Sequence, residues 1–443
     1  MKKLVLLLAS LLMPIISLMA QTEIYEVPNI ATPKASIIKD WQNQKQIAYI
    51  ESSVHGFSIV DLNNTNLLLA DLPNSIEVND FEIYKQWVFF CGCNASSNVG
   101  IIGYFDINDL FYGGGSYHYF DLNSLTTNPL RIALKMDLFP VSDGIHLILV
   151  GETYCSTCQT HKVRSFVDVP FNLSSMTPSS TFQGITELSG IEYYDDVVIT
   201  DNYVVSIGHK HQSEGIYFRL FNKPTTIATD IFSVSTLWHN IHAEYYATEL
   251  VLGTHLFGDV FATVSHAQVY PEWGTQITLF SGSTLVSKFF INQLSTSIGS
   301  NWKLKDIKYD PVENQLYVLE DMDFPLGSTN LNSVIVKFNP FSAPTTFNGY
   351  FAIQKDWQSL DNTLNPWRSI VIGGERRPSP MNLTRIDYND SPCVKSIPQP
   401  LSTLPPNGND FPVQITPDTY KFQDYFYCPT ITSMKPELIC PLE

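Results

Sequence analysis

The chain has 443 residues, of which 44% are apolar and 13% aromatic, and its formal net charge is −17. So acidic a surface, with no basic run to offset it, repels nucleic-acid phosphates and anionic lipid headgroups, and we therefore set nucleic-acid binding aside. Tyr, Phe, Val, Ile and Thr are abundant in the apolar runs and favour strands. No long stretch keeps the 3.6-residue period of a helix, so the composition predicts a nearly all-β protein.

The first twenty residues have the pattern of a secretory signal peptide. Lys2 and Lys3 precede the apolar segment Leu4–Met19. Ala20 provides a cleavage site before Gln21. The alternative is a retained membrane anchor, but the apolar segment is short for a span and lacks a basic stop-transfer flank. We expect a mature chain without a membrane span that is secreted, periplasmic or attached to the cell surface.

A pattern of short apolar runs recurs along the rest of the chain. Its two best copies are Leu304–Asp321 with Ser333–Pro340, and Asp80–Gly92 with Asn98–Asp109. Seven such repeats follow one another, at Lys34–Pro73, Ile76–Leu122, from Leu130, Gly190–Phe232, Tyr245–Leu294, Trp302–Lys355 and Trp357–Pro400. A period of about 40–60 residues built from short strands is typical of a β-propeller, in which each blade is a four-stranded meander.

Turn residues separate the first two strands of several repeats. They are Ser142-Asp143-Gly144, Thr200-Asp201-Asn202 and Phe257-Gly258-Asp259. The segment Thr22–Pro28 alternates polar and apolar residues and is long enough to complete the last repeat, which would clasp the two ends of the ring. We expect residues 1–20 to be the signal peptide, 21–403 the propeller domain and 404–443 a proline-rich extension packed on it.

Strand endings such as GYFDIND (103–109) and SIVDLNN (58–64) resemble those of the β-propeller superfamily, in the manner of WD40 repeats. The resemblance extends over residues 22–400, but the Gly-His and Trp-Asp marks of WD40 repeats are absent, so no functional residue carries over. It implies an all-β propeller with seven four-stranded blades. Six or eight blades, or two β-sandwiches, are the alternatives.

The seven cysteines allow several roles. Cys155 and Cys158 form a CxxC with His161 following. They could form a disulfide that staples a loop, a soft-metal site with the histidine, or a redox pair. Cys91 and Cys93 are poorly spaced for a mutual disulfide, so each pairs elsewhere or stays buried.

In a propeller, the loops between second and third strands emerge on one face, and these loops carry the candidate ligand-binding residues. They are His209, His211, Glu214, His266, Tyr270, Trp273, Glu320, Asp321, Glu375, Arg376 and Arg377. His209 and His211 would face one side of an extended strand and could hold a metal, or move protons with Glu214. Ordinary surface histidines are the alternative.

Each of the remaining candidates also has a ligand-binding interpretation and a purely structural one. Glu320 and Asp321 carry oxygens that suit Ca²⁺, but the spacing of a calcium loop is absent and they could simply be solvated. Arg376 or Arg377 could bind a carboxylate or an acidic sugar, or could pair with an acid of the protein itself. Trp273 could stack on a sugar or pack between blades.

These residues support two main functional hypotheses, and no known catalytic motif decides between them. The first is a binding or scaffold protein that recognises a glycan or a protein. The second is a polysaccharide hydrolase or lyase with a His/carboxylate site at the channel mouth. A metal-dependent redox protein is a third hypothesis. Cofactor, metal and catalytic residues are left unassigned.

Overall fold

The structure, a computed structural model, describes the backbone of strands and short helices between Glu23 and Cys440. Side chains are described in residues 72–73, 75–109, 116–122, 130–153, 165–179, 182–184, 196–206, 219–229, 231–232, 277, 279, 281, 306–308, 315–319 and 333–341. The predicted signal peptide, residues 1–20, lies outside the described residues.

The described elements are almost all strands, and every strand pairing is antiparallel. The all-β prediction is therefore confirmed. Most strands pair with their neighbours in sequence, which produces four-stranded meanders numbered 1 to 7 below. None of the described sheets closes on itself.

The first strand, β1, spans Glu23–Val27. Meander 1 contains β2 to β5, at Ser36–Trp41, Lys45–Ser52, Gly56–Asp61 and Asn66–Ala70. Meander 2 contains β6 to β9, at Ile76–Tyr84, Trp87–Asn94, Val99–Asp106 and Tyr117–Ser124. Meander 3 contains β10, β11, β12 and β14, at Leu130–Val141, Gly144–Tyr154, Lys162–Asn172 and Phe182–Thr186. The two-residue strand β13, Thr177–Pro178, pairs with β12.

Meander 4 contains β15 to β18, at Tyr193–Ile199, Tyr203–His209, Ile216–Asn222 and Ser235–Asn240. Meander 5 contains β19 to β22, at Leu252–Phe257, Val260–Val269, Glu272–Ser281 and Thr284–Asn292. Meander 6 contains β23 to β26, at Leu304–Asp310, Gln315–Met322, Asn332–Phe338 and Thr346–Phe351. Meander 7 contains β27 to β29, at Lys355–Asn362, Ser369–Glu375 and Met381–Ile386, followed by β1.

The predicted turns join first and second strands where the sequence placed them. Val141 pairs with Gly144, Ile199 with Val204, and Phe257 with Val260. The N-terminal strand also occupies its predicted place, because β1 pairs along its whole length with β29 as the fourth strand of meander 7.

The first strands of successive meanders contact one another. The contacts run from β6 to β10, β15, β19, β23, β27 and β2, and β3 then contacts β6. Successive meanders therefore lie side by side, in contact through their first strands except between meanders 1 and 2, where the second strand β3 makes the contact.

The middle strands of meander 2 are buried along almost their whole length. In β7 every residue after Trp87 is buried, and in β8 every residue before Asp106 is buried. A strand covered on one face would show alternating burial, so both faces of this sheet are covered. Phe89 of meander 2 meets Phe171 of meander 3 edge to face, with ring centroids 5.2 Å apart. Phe166 of meander 3 stacks on Phe221 of meander 4 at 4.9 Å.

Two short helices interrupt the strands. Helix α1, Ile107–Tyr112, follows β8, where the Asp106 carboxylate accepts the Asn108 N–H at 2.8 Å, as a residue that caps a helix start does. The second is a 3₁₀ turn at Ile231–Ser233. Within the part of the chain that the structure describes, no helix has the length and apolar character needed to cross a bilayer.

The C-terminal segment supplies the outermost strand of five sheets and, in the sheet that contains meanders 2 and 3, the strand that joins them. Its strands β30 to β35 lie at Lys395–Pro400, Ser402–Leu404, Asn409–Pro412, Asp418–Tyr427, Ile431–Met434 and Glu437–Cys440. They pair in turn with meanders 6, 5 and 4, with 3 and 2 together, then with 1 and 7. The sequence assigned residues up to Pro400 to the seventh repeat, whereas β30 lies on β26 of meander 6. The paired extension thus begins at Lys395, inside the segment assigned to the propeller domain.

Candidate functional site

Several predicted ligand-binding residues lie where a second strand leads into a third. His209 ends β16 and Glu375 ends β28. Glu320 and Asp321 are in the last three residues of β24, and His266 is in the last four of β20. In an antiparallel meander these connections lie at the end opposite to the turns between first and second strands. These residues therefore share one end of their meanders.

Trp273 belongs to the same set, because it is the second residue of β21 and lies opposite Gln268 of β20. The structure describes the backbone of these six residues and not their side chains. The other predicted site residues lie outside the described residues: His211, Glu214, Tyr270, Arg376, Arg377, Cys155 and Cys158.

A second polar feature, absent from the sequence predictions, is a series of acids on first strands. These first-strand acids are Asp80 of β6, Asp137 of β10, Asp196 of β15 and Asp306 of β23. In Asp137, Asp196 and Asp306 the carboxylate accepts the N–H of the following residue at 2.7–2.9 Å. A β-bulge lies immediately before Asp80, Asp196 and Asp306, and such bulges re-aim side chains.

Two of the first-strand acids also accept a hydrogen bond from the backbone of the next meander. The Oδ2 atom of Asp80 accepts the Met136 N–H of β10 at 2.9 Å. The Oδ2 atom of Asp137 in turn accepts the Ile199 N–H of β15 at 2.9 Å. Hydrogen bonds to a carboxylate are stronger than neutral ones. These two contacts therefore join meander 2 to meander 3 and meander 3 to meander 4.

Lys135 lies among these carboxylates. The charge of Asp80 is the main cause that raises the pKa of Lys135, against the effect of burial, and Asp196 and Asp306 add to it. Burial raises the pKa of Asp80, although Lys135 and backbone N–H groups oppose that shift. The two shifts favour opposite charge states of the pair. The lysine is charged, because the carboxylates of Asp80, Asp196 and Asp306 stabilise its ammonium group.

The pKa of Asp137 is raised more strongly than that of Asp80. Burial raises its pKa well above the ordinary value, and the negative charge of Glu82 adds to the shift, while the N–H groups of Leu138 and Ile199 oppose it. A carboxylate that accepts hydrogen bonds from two backbone N–H groups is already engaged in contacts that stabilise the fold. Among the side chains that the structure describes, no group of three His, Cys, Asp or Glu has the arrangement of a metal site. The hydrogen bonds of Asp80 and Asp137 to the next meander give these two acids a structural role.

A buried histidine joins meanders 3 and 4 on another side. His146 of β11 lies 2.8 Å from Asp168 of β12, measured from Nδ1 to Oδ1. Its Nε2 atom lies 3.2 Å from the Thr226 carbonyl oxygen, which follows β17 of meander 4. The ring also stacks on Phe139, with centroids 5.0 Å apart. Burial lowers the pKa of His146, but Asp168 outweighs it through its hydrogen bond and charge, so the net shift is upward.

Both described cysteines are buried. Cys91 and Cys93 lie on β7, and the Sγ atom of Cys93 is 3.9 Å from Glu77 Oε2. Burial raises the pKa of the Cys91 thiol well above its ordinary value, and the charge of Asp80 raises it further. Cys91 therefore lacks the lowered pKa of a reactive cysteine, and neither thiol has the exposure that such chemistry needs.

A sequence signal for the first-strand acids does exist. Each is followed directly by an apolar residue, in the pairs Asp80-Phe81, Asp137-Leu138, Asp196-Val197 and Asp306-Ile307. An acid inside an otherwise apolar strand is unusual, because a buried carboxylate needs donors. The recurrence of this pair on the first strand of four of the seven repeats was the available signal.

Neither a protein-family model nor a curated protein matches this sequence. Among solved structures, the crystal structure of the computationally designed Ika8 protein aligns with 82% of this chain and all of its own, at 10% sequence identity and a TM-score of 0.40. A similarity of that size carries no argument about fold or function.

Proposed function

We propose that the chain is a seven-bladed β-propeller in which each meander is one blade. Three observations support this arrangement. The contacts between successive meanders, made by first strands and, from meanders 1 to 2, by the second strand β3, return to the starting meander. Strands β7 and β8 are covered on both faces, as blades stacked between neighbours would be. Meander 7 takes its fourth strand from the N-terminus, which joins the two ends of the ring.

On this proposal, the protein acts outside the cytoplasm as a binding or scaffold protein for a glycan or another protein. The observation that carries it is positional: six predicted ligand-binding residues occupy the same end of meanders 4 to 7. In a closed ring, four consecutive meanders would present these residues along one arc of a single face. Loops on such a rigid scaffold are common carriers of binding sites.

The residue types on this arc suit a carbohydrate or an acidic surface. Trp273 and Tyr270 offer apolar rings on which a sugar could stack. Arg376 and Arg377 offer planar cations that bind carboxylates with two parallel hydrogen bonds. The fold alone does not choose among the functions that propellers support, so the arc itself has to be tested.

The test uses mature protein, residues 21–443, screened against neutral and acidic polysaccharides by glycan array and calorimetry. The double variants Trp273→Ala with Tyr270→Ala, and Arg376→Ala with Arg377→Ala, should each weaken binding at least about tenfold, the loss expected from removing a stacked or charge-paired contact of about 1.4 kcal/mol. The control is Asp201→Ala with Asn202→Ala, in the exposed turn at the opposite end of meander 4. Equal affinity in all three variants would contradict the proposal.

The alternative function, a polysaccharide hydrolase or lyase, is tested with the same protein and the same polysaccharides. Each polysaccharide is incubated with the protein and shortened products are sought by mass spectrometry. Products that disappear in the His209→Ala, His211→Ala double variant would replace the binding proposal by the enzymatic one. Binding without products supports a binding or scaffold role.

A further inference from the structure

The C-terminal segment covers one edge of every meander. The fourth strands β26, β22, β18, β14, β9, β5 and β1 would each leave a row of unpaired backbone groups at the outer edge. Strands β30 to β35 pair with all of them. The segment from Lys395 to Cys440, called the belt below, therefore runs from meander 6 back to meander 1 and ends on meander 7.

We propose that the belt is an edge cover that keeps the protein monomeric, and that the edges beneath it would otherwise accept a strand from a second copy of the chain. An exposed strand edge is a template for pairing with another chain, and proteins cover or block such edges. Seven adjacent edges on one molecule would make association between copies a severe hazard, so a continuous cover has a clear physical purpose.

The belt strands are themselves poor templates. Strands β31, β32, β34 and β35 have only three or four residues each. Pro398 and Pro400 lie in β30, and Pro412 ends β32. Proline has no N–H to offer a further strand, and short edge strands bind weakly. The belt thus replaces seven regular edges by edges that are short or interrupted.

The long belt strand β33 is the informative exception. Its ten residues are divided between two neighbouring meanders. Residues 420–427 pair with Tyr117–Ser124 of β9, and residues 418–420 pair with Phe182–Gly184 of β14. The long belt strand therefore covers the edges of both meanders and joins meanders 2 and 3 into a single sheet.

In the sequence, residues 387–394 connect the belt to β29. The links to the meanders that the structure describes for the six belt strands are strand pairings. The belt strand β35 pairs with β1, so that Ile24 lies opposite Cys440. The cover of meander 7 is therefore made by β35.

The test cuts this connection in folded, full-length protein. A specific protease site is inserted after Asp390, the purified protein is cut, and the belt is then removed by size exclusion in mild urea. We expect the cut protein to remain a monomer while the belt is bound. After removal, light scattering should show a mass that rises with protein concentration, and a synthetic peptide of residues 395–443 should restore the monomer.

Integrity of the remaining body is followed by alkylation of Cys91 and Cys93, which are buried in the folded protein. A body that keeps both thiols protected and stays monomeric without the belt would overturn the proposal. So would a body whose thiols become reactive, since the belt would then hold the fold together rather than cover it. Association that the peptide does not prevent would also overturn it.

An uncut variant gives an independent test. Thr432 of β34 lies opposite Leu69 of β5. Thr432→Pro should detach the cover of meander 1 and produce concentration-dependent dimers, whereas the control Thr432→Val keeps the backbone N–H and should stay monomeric. Identical masses for the two variants at every concentration would contradict the proposed role.

Discussion

The imidazole of His146 bridges the Asp168 carboxylate, 2.8 Å away, and the Thr226 carbonyl oxygen, 3.2 Å away, and both of these atoms accept hydrogen bonds. A neutral imidazole has only one N–H and can satisfy one of them, whereas the imidazolium donates to both. The two contacts therefore select the charged ring. The negative charge of Asp168 compensates for the burial of that cation, as buried charges require.

Replacing His146 by Gln should destabilise the protein by about 1–3 kcal/mol, because it disturbs a buried hydrogen-bonded pair. The loss should depend on pH. The pKa of His146 is raised in the folded state, so its contribution is full below the unfolded value of about 6.5 and is lost as the pH rises through the folded value. Urea unfolding at pH 5.5 and pH 9 should show the larger loss at pH 5.5.

The variant Asp168→Asn tests the cause of this dependence. An amide can accept one hydrogen bond but does not carry the charge that favours the imidazolium. The difference in stability between pH 5.5 and pH 9 should therefore shrink toward that of His146→Gln, and the double variant should add little. If the two single losses were fully additive, the two side chains would not be coupled.

Asp137 should respond to substitution in a way that separates its hydrogen bonds from its charge. Asp137→Ala removes the acceptors for the Leu138 and Ile199 N–H groups and should cost about 2–3 kcal/mol. Asp137→Asn keeps one acceptor and should cost less.

The cost of Asp137→Asn should also fall as the pH rises. The pKa of Asp137 is raised in the folded state, so the native carboxyl group stabilises the fold most below its unfolded value of about 3.9 and loses this contribution at higher pH. Asn has no such loss. Thermal unfolding at pH 4 and pH 8 measures the difference, and an Asn variant that is worse at pH 8 would refute the assignment.

Gly92 should not tolerate a side chain, because a Cβ atom there would collide with the backbone carbonyl of Glu77 on the paired strand. In most strands alanine is at least as favourable as glycine. Here Gly92→Ala should destabilise by about 1–3 kcal/mol or more, as overpacking does. The matched control is Gly100→Ala, whose added Cβ would lie 3.0 Å from the nearest atom, the Leu130 carbonyl oxygen. Chemical denaturation of the two variants should rank Gly92→Ala as clearly the less stable.

The meanders were predictable because their signals are local. Runs such as KQIAYIES and turns such as Ser142-Asp143-Gly144 fix strand and hairpin within about ten residues. The strands they predict are β3 and the pair β10–β11. The N-terminal strand was predictable for a different reason, since a ring with an open edge needs a final strand.

The belt strands were not predictable from local pattern. Strand β34, for example, has four residues and pairs with β5, more than 350 residues earlier in the chain. Short proline-bearing segments have little strand propensity of their own, and the edge on which they lie decides their structure. The first-strand acids were missed for a similar reason, because the Ile199 N–H that Asp137 accepts comes from the next meander.

The Cys91 thiol should be almost inert in the folded protein. It is fully buried on β7, and burial together with the charge of Asp80 raises its pKa well above the ordinary value. Alkylation requires the thiolate form and access of the reagent, and burial prevents both.

Iodoacetamide at pH 8 should label Cys91 at least about 100 times more slowly in native protein than in 8 M urea, as measured by peptide mass spectrometry. This ratio is expected when the reaction requires an unfolding that costs more than about 2.7 kcal/mol. Cys93, with 8% of its surface exposed, should react faster than Cys91 but still slowly. Rapid native labelling of Cys91 without loss of the β-sheet circular dichroism signal would mean that β7 is not enclosed on both faces, and it would remove one of the three supports for the propeller arrangement.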